Sequence, residues 1–396
     1  MTAARMGTGT AARAVALILL IAAWSVGATR LWHTDVPGSL NVSGLDVTRW
    51  FTARQLEQAR SYWRFVEVDW ALGTLATLVA LAILAWRAPR IARGIGLGPI
   101  GSGVIVGMLT LVTLWFVALP FSFAQQWWDA RHGLAPHDYL AWLAAPWASL
   151  SFEAGYALVV IVFVMWLARR LGRGWWLVGA PVFVGLAVLF AFLQGFVAVS
   201  GTTAAKPALR ARIVRLEQAE GVAVPVRVQK VSGWTKEANA FTSGIGPSTR
   251  VVVWDTLLDG RFSRGEVNVV VAHELGHVAR KHIWKGLAWV ALLAFPAAFL
   301  IAEATRSRGG LGRPGAIPLA FLVLTVASLL ALPIENAVSR RYEAEADWAA
   351  LQATRDPASP ASLFRSFART SLEEPSPPTW DYWLLENHPT LAQRIA

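Results

Sequence analysis

Cysteine is absent from this chain, and charge is scarce: Asp, Glu, Lys and Arg make up only 15% of its 396 residues. The first absence excludes disulfide frameworks and thiolate chemistry, and leaves the redox compartment open. The second excludes an ordinary soluble enzyme. Hydrophobic residues reach 55% and mean hydropathy is +0.45, values that belong to a polytopic membrane protein. Acid is the scarcer sign, at 25 residues against 36 basic ones, for a net charge of +11. Many of the arginines flank apolar runs, where they set membrane topology, so nucleic acid is not an expected partner. Internal repeats and low-complexity tracts are also missing.

Long apolar runs are what the chain does have. Seven are candidates for spans, near 14–29, 68–86, 100–120, 147–168, 175–199, 284–303 and 316–333. Each approaches the roughly 20 residues that cross hydrocarbon. Many of the 21 tryptophans sit near the ends of these runs, as interfacial anchors do. The first run has two readings. Arg5 and Arg13 precede it, and Val26-Gly27-Ala28 offers a signal-peptidase site, but a retained anchor is the favoured reading. Arg87, Arg90 and Arg93 follow the second run, Arg169, Arg170 and Arg173 the fourth, and Arg306, Arg308 and Arg313 join the last two. These short loops fall on one side, together with Arg5 and Arg13. The loop from Arg30 to Glu67 also carries arginine and counts against this. On balance the N-terminus is cytoplasmic and the segment after five spans lies outside.

Four parts follow from this pattern: an N-terminal membrane domain (1–200), a polar unit (201–283), a transmembrane hairpin (284–333) and a C-terminal part (334–396). In the polar unit, Val222 to Val231 reads as a strand, with Pro225 arguing for an edge position. Asn239 to Ser243 and Arg250 to Trp254 read as two more, joined by the turn-rich Gly244-Ile245-Gly246-Pro247-Ser248. Ser263-Arg264-Gly265-Glu266 has capping-box spacing and starts a helix through His273 and His277. A separate helix is expected around 336–354.

That first helix carries His273-Glu274-Leu275-Gly276-His277. Two histidines four apart share a helical face and can reach one zinc ion, and the intervening Glu can move protons beside it. A catalytic zinc takes three protein ligands and leaves a position for water. A third ligand at the metzincin position is excluded, because Arg280 and Ile283 stand where that pattern needs Gly and His. Asn336 to Asp347 is the best candidate region. Glu343 and Asp347 lie on one helical face and repel unless a cation, with Arg340 or Arg341, lies nearby. Glu345 points about 200° away. The chain makes two crossings between His277 and Glu343, so it returns to the same side. Asp347 is placed to hold a ligating imidazole. His282, five residues past His277, lies off the ligand face.

These blocks resemble the M48 zinc metallopeptidases, in particular the CAAX prenyl protease 1 group. Besides the His-Glu-x-x-His run, the resemblance rests on Asn239-Ala240-Phe241, on Ser339 to Asp347 and on His388-Pro389-Thr390-Leu391-Ala392-Gln393-Arg394-Ile395. Tyr62-Trp63-Arg64 and Arg131-His132-Gly133-Leu134 fit more loosely. It implies one zinc per chain on His273, His277 and Glu343, with Glu274 as general base and acid. It implies that Asp347 and Arg394 order the site, that His388 hydrogen-bonds the tetrahedral intermediate, and that Asn239 and Ala240 pair with substrate backbone along an edge strand. The implied fold is mainly α, seven transmembrane helices enclosing an intramembrane chamber capped by a small α+β zinc peptidase domain of gluzincin type. The expected function is a membrane-embedded metalloendopeptidase acting on peptides or membrane proteins, set in a bacterial inner membrane with an extracytoplasmic site. Two other readings are an HtpX-like quality-control protease and a non-proteolytic zinc-binding sensor or scaffold. Oligomeric state and substrate are not legible.

Overall fold

The computed structural model describes residue 18 and residues 21–40, 45–144, 146–233 and 235–396. Residues 14–17, 19 and 20 of the expected first span lie outside these residues, and its later part belongs to a helix over 21–32 (α1). The long helices are α2 (Ala53–Arg93), α3 (Gly98–Arg131), α5 (Trp147–Leu171), α6 (Trp175–Val197), α9 (His282–Thr305) and α10 (Ile317–Thr354), with the short α4 (Tyr139–Ala144) between α3 and α5. Five stretches among the described residues are long and apolar enough to cross a membrane. The third, Leu150–Val197, holds α5 and α6, parted at Gly172, whose φ is +55°. Apolar side chains cover the outside of these helices: Leu75, Ile83, Phe116, Val159 and Leu177 are all exposed. That is the arrangement of a protein whose solvent is lipid.

The arginine-bearing turns after α2 and α5 and between α9 and α10 gather at one end. Arg308 donates to the Ala85 carbonyl, Gly312 lies against Arg169, and Gly315 against Pro89. The other end holds the polar unit. Its sheet has the order β1 (Thr203–Ala204), β2 (Val226–Gln229), β4 (Arg250–Trp254), β3 (Ala240–Ser243). β2 and β4 run parallel, and β3 pairs antiparallel to β4 with Ala240 opposite Val253. Val251, Val252 and Val253 have no exposure, the continuous apolar run of a strand covered on both faces. The expected edge position for the strand near Pro225 is wrong. β2 is interior, because Pro225 precedes its first residue. The missing N–H costs nothing there, and the Pro225 carbonyl accepts from Val251.

α7 (Pro207–Glu220) was not anticipated, although Pro207 at its start and a left-handed Gly221 (φ +68°) at its end are regular stop signals. α8 (Arg264–Ala279) starts at the Ser263/Glu266 capping box. The helix expected around 336–354 is the second half of α10, which runs unbroken through Pro333. At 38 residues it is about 57 Å long, more than an apolar core needs. The surplus delivers its C-terminal half into the polar unit. α11 (Ala358–Thr370), α12 (Thr379–Leu384) and α13 (Leu391–Ile395) close that unit.

Candidate metal centre

α8 and the second half of α10 lie against each other, and Gly276 sets their distance. A Cβ there would stand 3.1 Å from the Ala349 Cβ and 3.3 Å from the Ala346 carbonyl oxygen. At this contact three side chains converge. His273 Nε2 is 3.0 Å from His277 Nε2 and 3.1 Å from Glu343 Oε2, and His277 Nε2 is 3.4 Å from Glu343 Oε1. Ligand atoms of a tetrahedral ion with 2.0–2.1 Å bonds lie about 3.3 Å apart. Glu343 Oε2 is buried, and neither neighbouring nitrogen is aligned to donate to it. One ligand atom of each of His273, His277 and Glu343 lies within 4.8 Å of the others, close enough to share one ion. Burial pushes His273 down, but the adjacent carboxylates of Asp347 and Glu343 outweigh it and raise it to about 10. The pocket calls for positive charge, which a divalent ion supplies. The residues present therefore fit a metal.

Each imidazole has its own support. His273 Nδ1 lies 2.8 Å from Asp347 Oδ1. Arg394 grips both oxygens of that carboxylate, through Nε (2.8 Å) and Nη2 (2.7 Å). The cation that sequence spacing assigned to Arg340 or Arg341 is therefore Arg394. Arg340 donates to the Tyr382 and Glu386 carbonyls, and Arg341 to the Trp32 carbonyl. His277 Nδ1 is 2.8 Å from His282 Nδ1, and His282 Nε2 is 2.9 Å from Glu345 Oε2. Spacing placed His282 off the ligand face. It is indeed outside the triad, and Lys281 explains how it still reaches His277. Lys281 is left-handed (φ +57°), so it ends α8 and starts α9 in a new direction, folding His282 back behind His277. Glu345 also accepts from Lys285 Nζ and the Asp35 amide. A basic residue just past a helix end, followed by a second helix, was the only available signal.

The His273, His277 and Glu343 triad opens on a cleft of about 630 Å³. Glu274, 8% exposed, lines it. Thr242 Oγ1 is 2.8 Å from Glu274 Oε2 and 2.9 Å from its carbonyl, a partner that sequence reasoning missed. Asn239, just before β3, and Ala240, its first residue, border the cleft, and β3 has β4 on one side and, among the described residues, no strand on the other. Asn239 Oδ1 accepts from the Ala240 amide. His388 enters from the opposite wall, with Nε2 3.1 Å from Glu343 Oε2 and Nδ1 2.6 Å from Asn387 Oδ1. Every residue expected in the site lines or adjoins this one cleft.

Residues 204–396 match peptidase family M48. An uncharacterized metalloprotease, YhfN, of Bacillus subtilis (strain 168) is 29% identical over 307 residues, 73% of this chain and 71% of its own length. A protease HtpX homolog of Methylibium petroleiphilum is 32% identical over 160 residues, 40% of this chain and 54% of its own. The crystal structure of S. mikatae Ste24p superposes with a TM-score of 0.73 at 17% identity, covering 95% of this chain and 96% of that one. It shares the fold.

Proposed function

We propose how this chain, a membrane metalloendopeptidase whose residues 204–396 match peptidase family M48, carries the reaction on its own residues. One zinc ion per chain is held by His273, His277 and Glu343. The observation that supports this is the 3.0–3.4 Å triangle of donor atoms, with the Glu274 carboxylate in the same cleft. The bound ion supplies Lewis acidity and an acidified water.

Glu274 takes the proton of the attacking water and returns it to the leaving amine. Thr242 holds that carboxylate by donating to Oε2. Asp347 and Arg394 fix the tautomer of His273, leaving Nε2 free to ligate. His388 donates to the oxygen of the scissile carbonyl as charge builds there. Substrate backbone pairs with the open edge of β3 at Asn239 and Ala240. The substrates are peptides or membrane proteins. A prenyl group is no part of the proposal.

The arginine-rich end of the bundle is the cytoplasmic one by the positive-inside rule, which puts the cleft outside, in a bacterial inner membrane. Reporter fusions at Gly233 and Arg308 test this. A Gly233 fusion active only in the cytoplasm overturns it.

An HtpX-like quality-control role is the second reading, favoured by local identity, although the chain spans only about half of that relative. The near-complete superposition on Ste24p supports the CAAX protease-like architecture. Glu274→Gln is the deciding experiment. It should keep stoichiometric zinc and lose peptide cleavage by several orders of magnitude. Cleavage near the wild-type rate ends the assignment, and absence of zinc from wild-type protein ends the site. His388→Phe should cost less, about 10²-fold.

A further inference from the structure

A second group of ligating side chains lies away from the cleft's metal-binding triad, where the membrane half meets the C-terminal segment. Glu67 comes from α2, Glu374 from the loop after α11, and Asp381 from α12. One carboxylate oxygen of each lies within 4.8 Å of the others. The Glu67 and Glu374 side chains are each 9% exposed, and Asp381 is 0% exposed. The one cation among them is Arg60, two helical turns before Glu67. Its Nη1 is 3.1 Å from Glu67 Oε1 and 3.0 Å from Glu374 Oε2. Both oxygens of Asp381 are buried and have no hydrogen-bond donor.

Three carboxylates thus share one guanidinium, and the most deeply buried has no partner. A buried, unpaired charge costs several kcal/mol and does not persist without compensation. Two things can provide it, a proton or a second cation. The donor set indicates which cation. It contains only carboxylate oxygens, with no imidazole and no thiolate, so it suits a hard ion and not zinc. Oxygens within 4.8 Å of one another fit around an ion with bonds of about 2.3–2.6 Å, the range of calcium.

We propose that Glu67, Glu374 and Asp381 bind a calcium ion that ties α2 to the segment leading to His388. Only six residues separate Asp381 from His388. Arg340 holds the intervening carbonyls of Tyr382 and Glu386, so what fixes α12 also fixes that wall of the cleft. The ion's role is to hold position. It is separate from the zinc proposed above, and its binding does not depend on the peptidase reading.

The test uses the full chain, zinc-loaded and in detergent, in buffer freed of divalent ions by a chelating resin. Equilibrium dialysis against radioactive calcium should find about one ion per chain. The thermal midpoint should rise by about 3 °C or more once calcium exceeds its Kd 100-fold. Asp381→Asn and Glu374→Gln should each lose the bound calcium and the rise while keeping their zinc. Wild-type protein that binds no calcium overturns the proposal, as does an undiminished response in both variants. A wild-type midpoint insensitive to calcium, together with an Asp381→Asn midpoint at or above it, would show that a proton neutralises Asp381 and would also overturn it. If Asp381→Asn does not fold, Glu374→Gln and the wild-type calcium count still decide.

Discussion

Helix α10 is one helix in two solvents. Between Leu319 and Glu335 it buries no residue, and Leu330 is 76% exposed. From Asn336 onward it buries Asn336, Arg340, Tyr342, Glu343 and Glu345. The first half is apolar and faces outward because lipid is its surroundings. The second half hides charge because each charge has a partner on α8, α9, α12 or the segment before α2. The lesson concerns what burial means here. In the membrane half, exposure of a leucine says nothing about stability. In the peptidase half, a buried carboxylate marks a neighbour of opposite charge, or a place for one.

The largest expected effect lies in the second half. Glu343→Gln removes a ligating charge between two imidazoles. Metal content should fall well below one per chain, measured by atomic absorption. Cleavage should fall with it, by more than the roughly 10–100-fold that loss of an outer hydrogen-bond partner costs. Full metal retention would mean that the convergence of His273, His277 and Glu343 is a hydrogen-bond cluster. His282→Phe comes next. It keeps the ring packed on Tyr342, against which His282 now stacks at 4.8 Å, but deletes the contact to His277 Nδ1. Metal affinity should drop about 10–100-fold. An unchanged affinity in a competition titration would show that His277 needs no support of the kind Asp347 gives His273.

How much of this was legible depended on whether the signal was local. The capping box at Ser263 and Glu266, the strand Arg250–Trp254 and the two-histidine face are encoded within a few residues, and local periodicity finds them. The return of Glu343 to the histidines followed from counting crossings, since a chain that enters the membrane must leave it. Partner choice was another matter. Arg340 and Arg341 are adjacent to Glu343 in sequence, yet Arg394 is the residue that pairs with Asp347, because the C-terminal segment folds back over α10. His282 stays out of the ligand triad, as its spacing predicts, but its place behind His277 was not legible, because one left-handed residue, Lys281, breaks the helical periodicity. Pro225 suggested an edge strand because proline excludes ladder positions, and the exclusion ends one residue before the ladder starts. The count of spans stays at five among the described residues.

The two halves of α10 can also be compared in stability. Ala349 is buried and sets its Cβ against α8 where Gly276 lacks one. Ala349→Leu forces three carbon atoms into that contact and should cost about 1–3 kcal/mol. Leu330→Ala, on the lipid-facing half, should change stability by less than about 0.5 kcal/mol. Thermal unfolding of both variants in the same detergent measures the gap. Equal losses would mean that the first half of α10 packs against protein and not lipid.

The smallest expected effect is a change of slope with pH. Glu386 stands on the cleft wall with its carbonyl held by Arg340. Burial first, then the carboxylates of Glu373, Asp381 and Glu374, raise its acid to about 8 from an ordinary 4.5, with Arg340 opposing. Between those values the folded chain holds a proton on Glu386 that the unfolded chain has released. The stabilising contribution is complete below pH 4.5 and is lost as pH rises towards 8. Across that window stability should fall with rising pH, by at most about 1.4 kcal/mol per pH unit from this group. Glu386→Gln fixes the neutral form and should flatten the slope, seen as a smaller difference between midpoints at pH 5.5 and pH 7.5. A slope as steep in the variant as in the wild type would move the excess proton to another of the acids around Asp381.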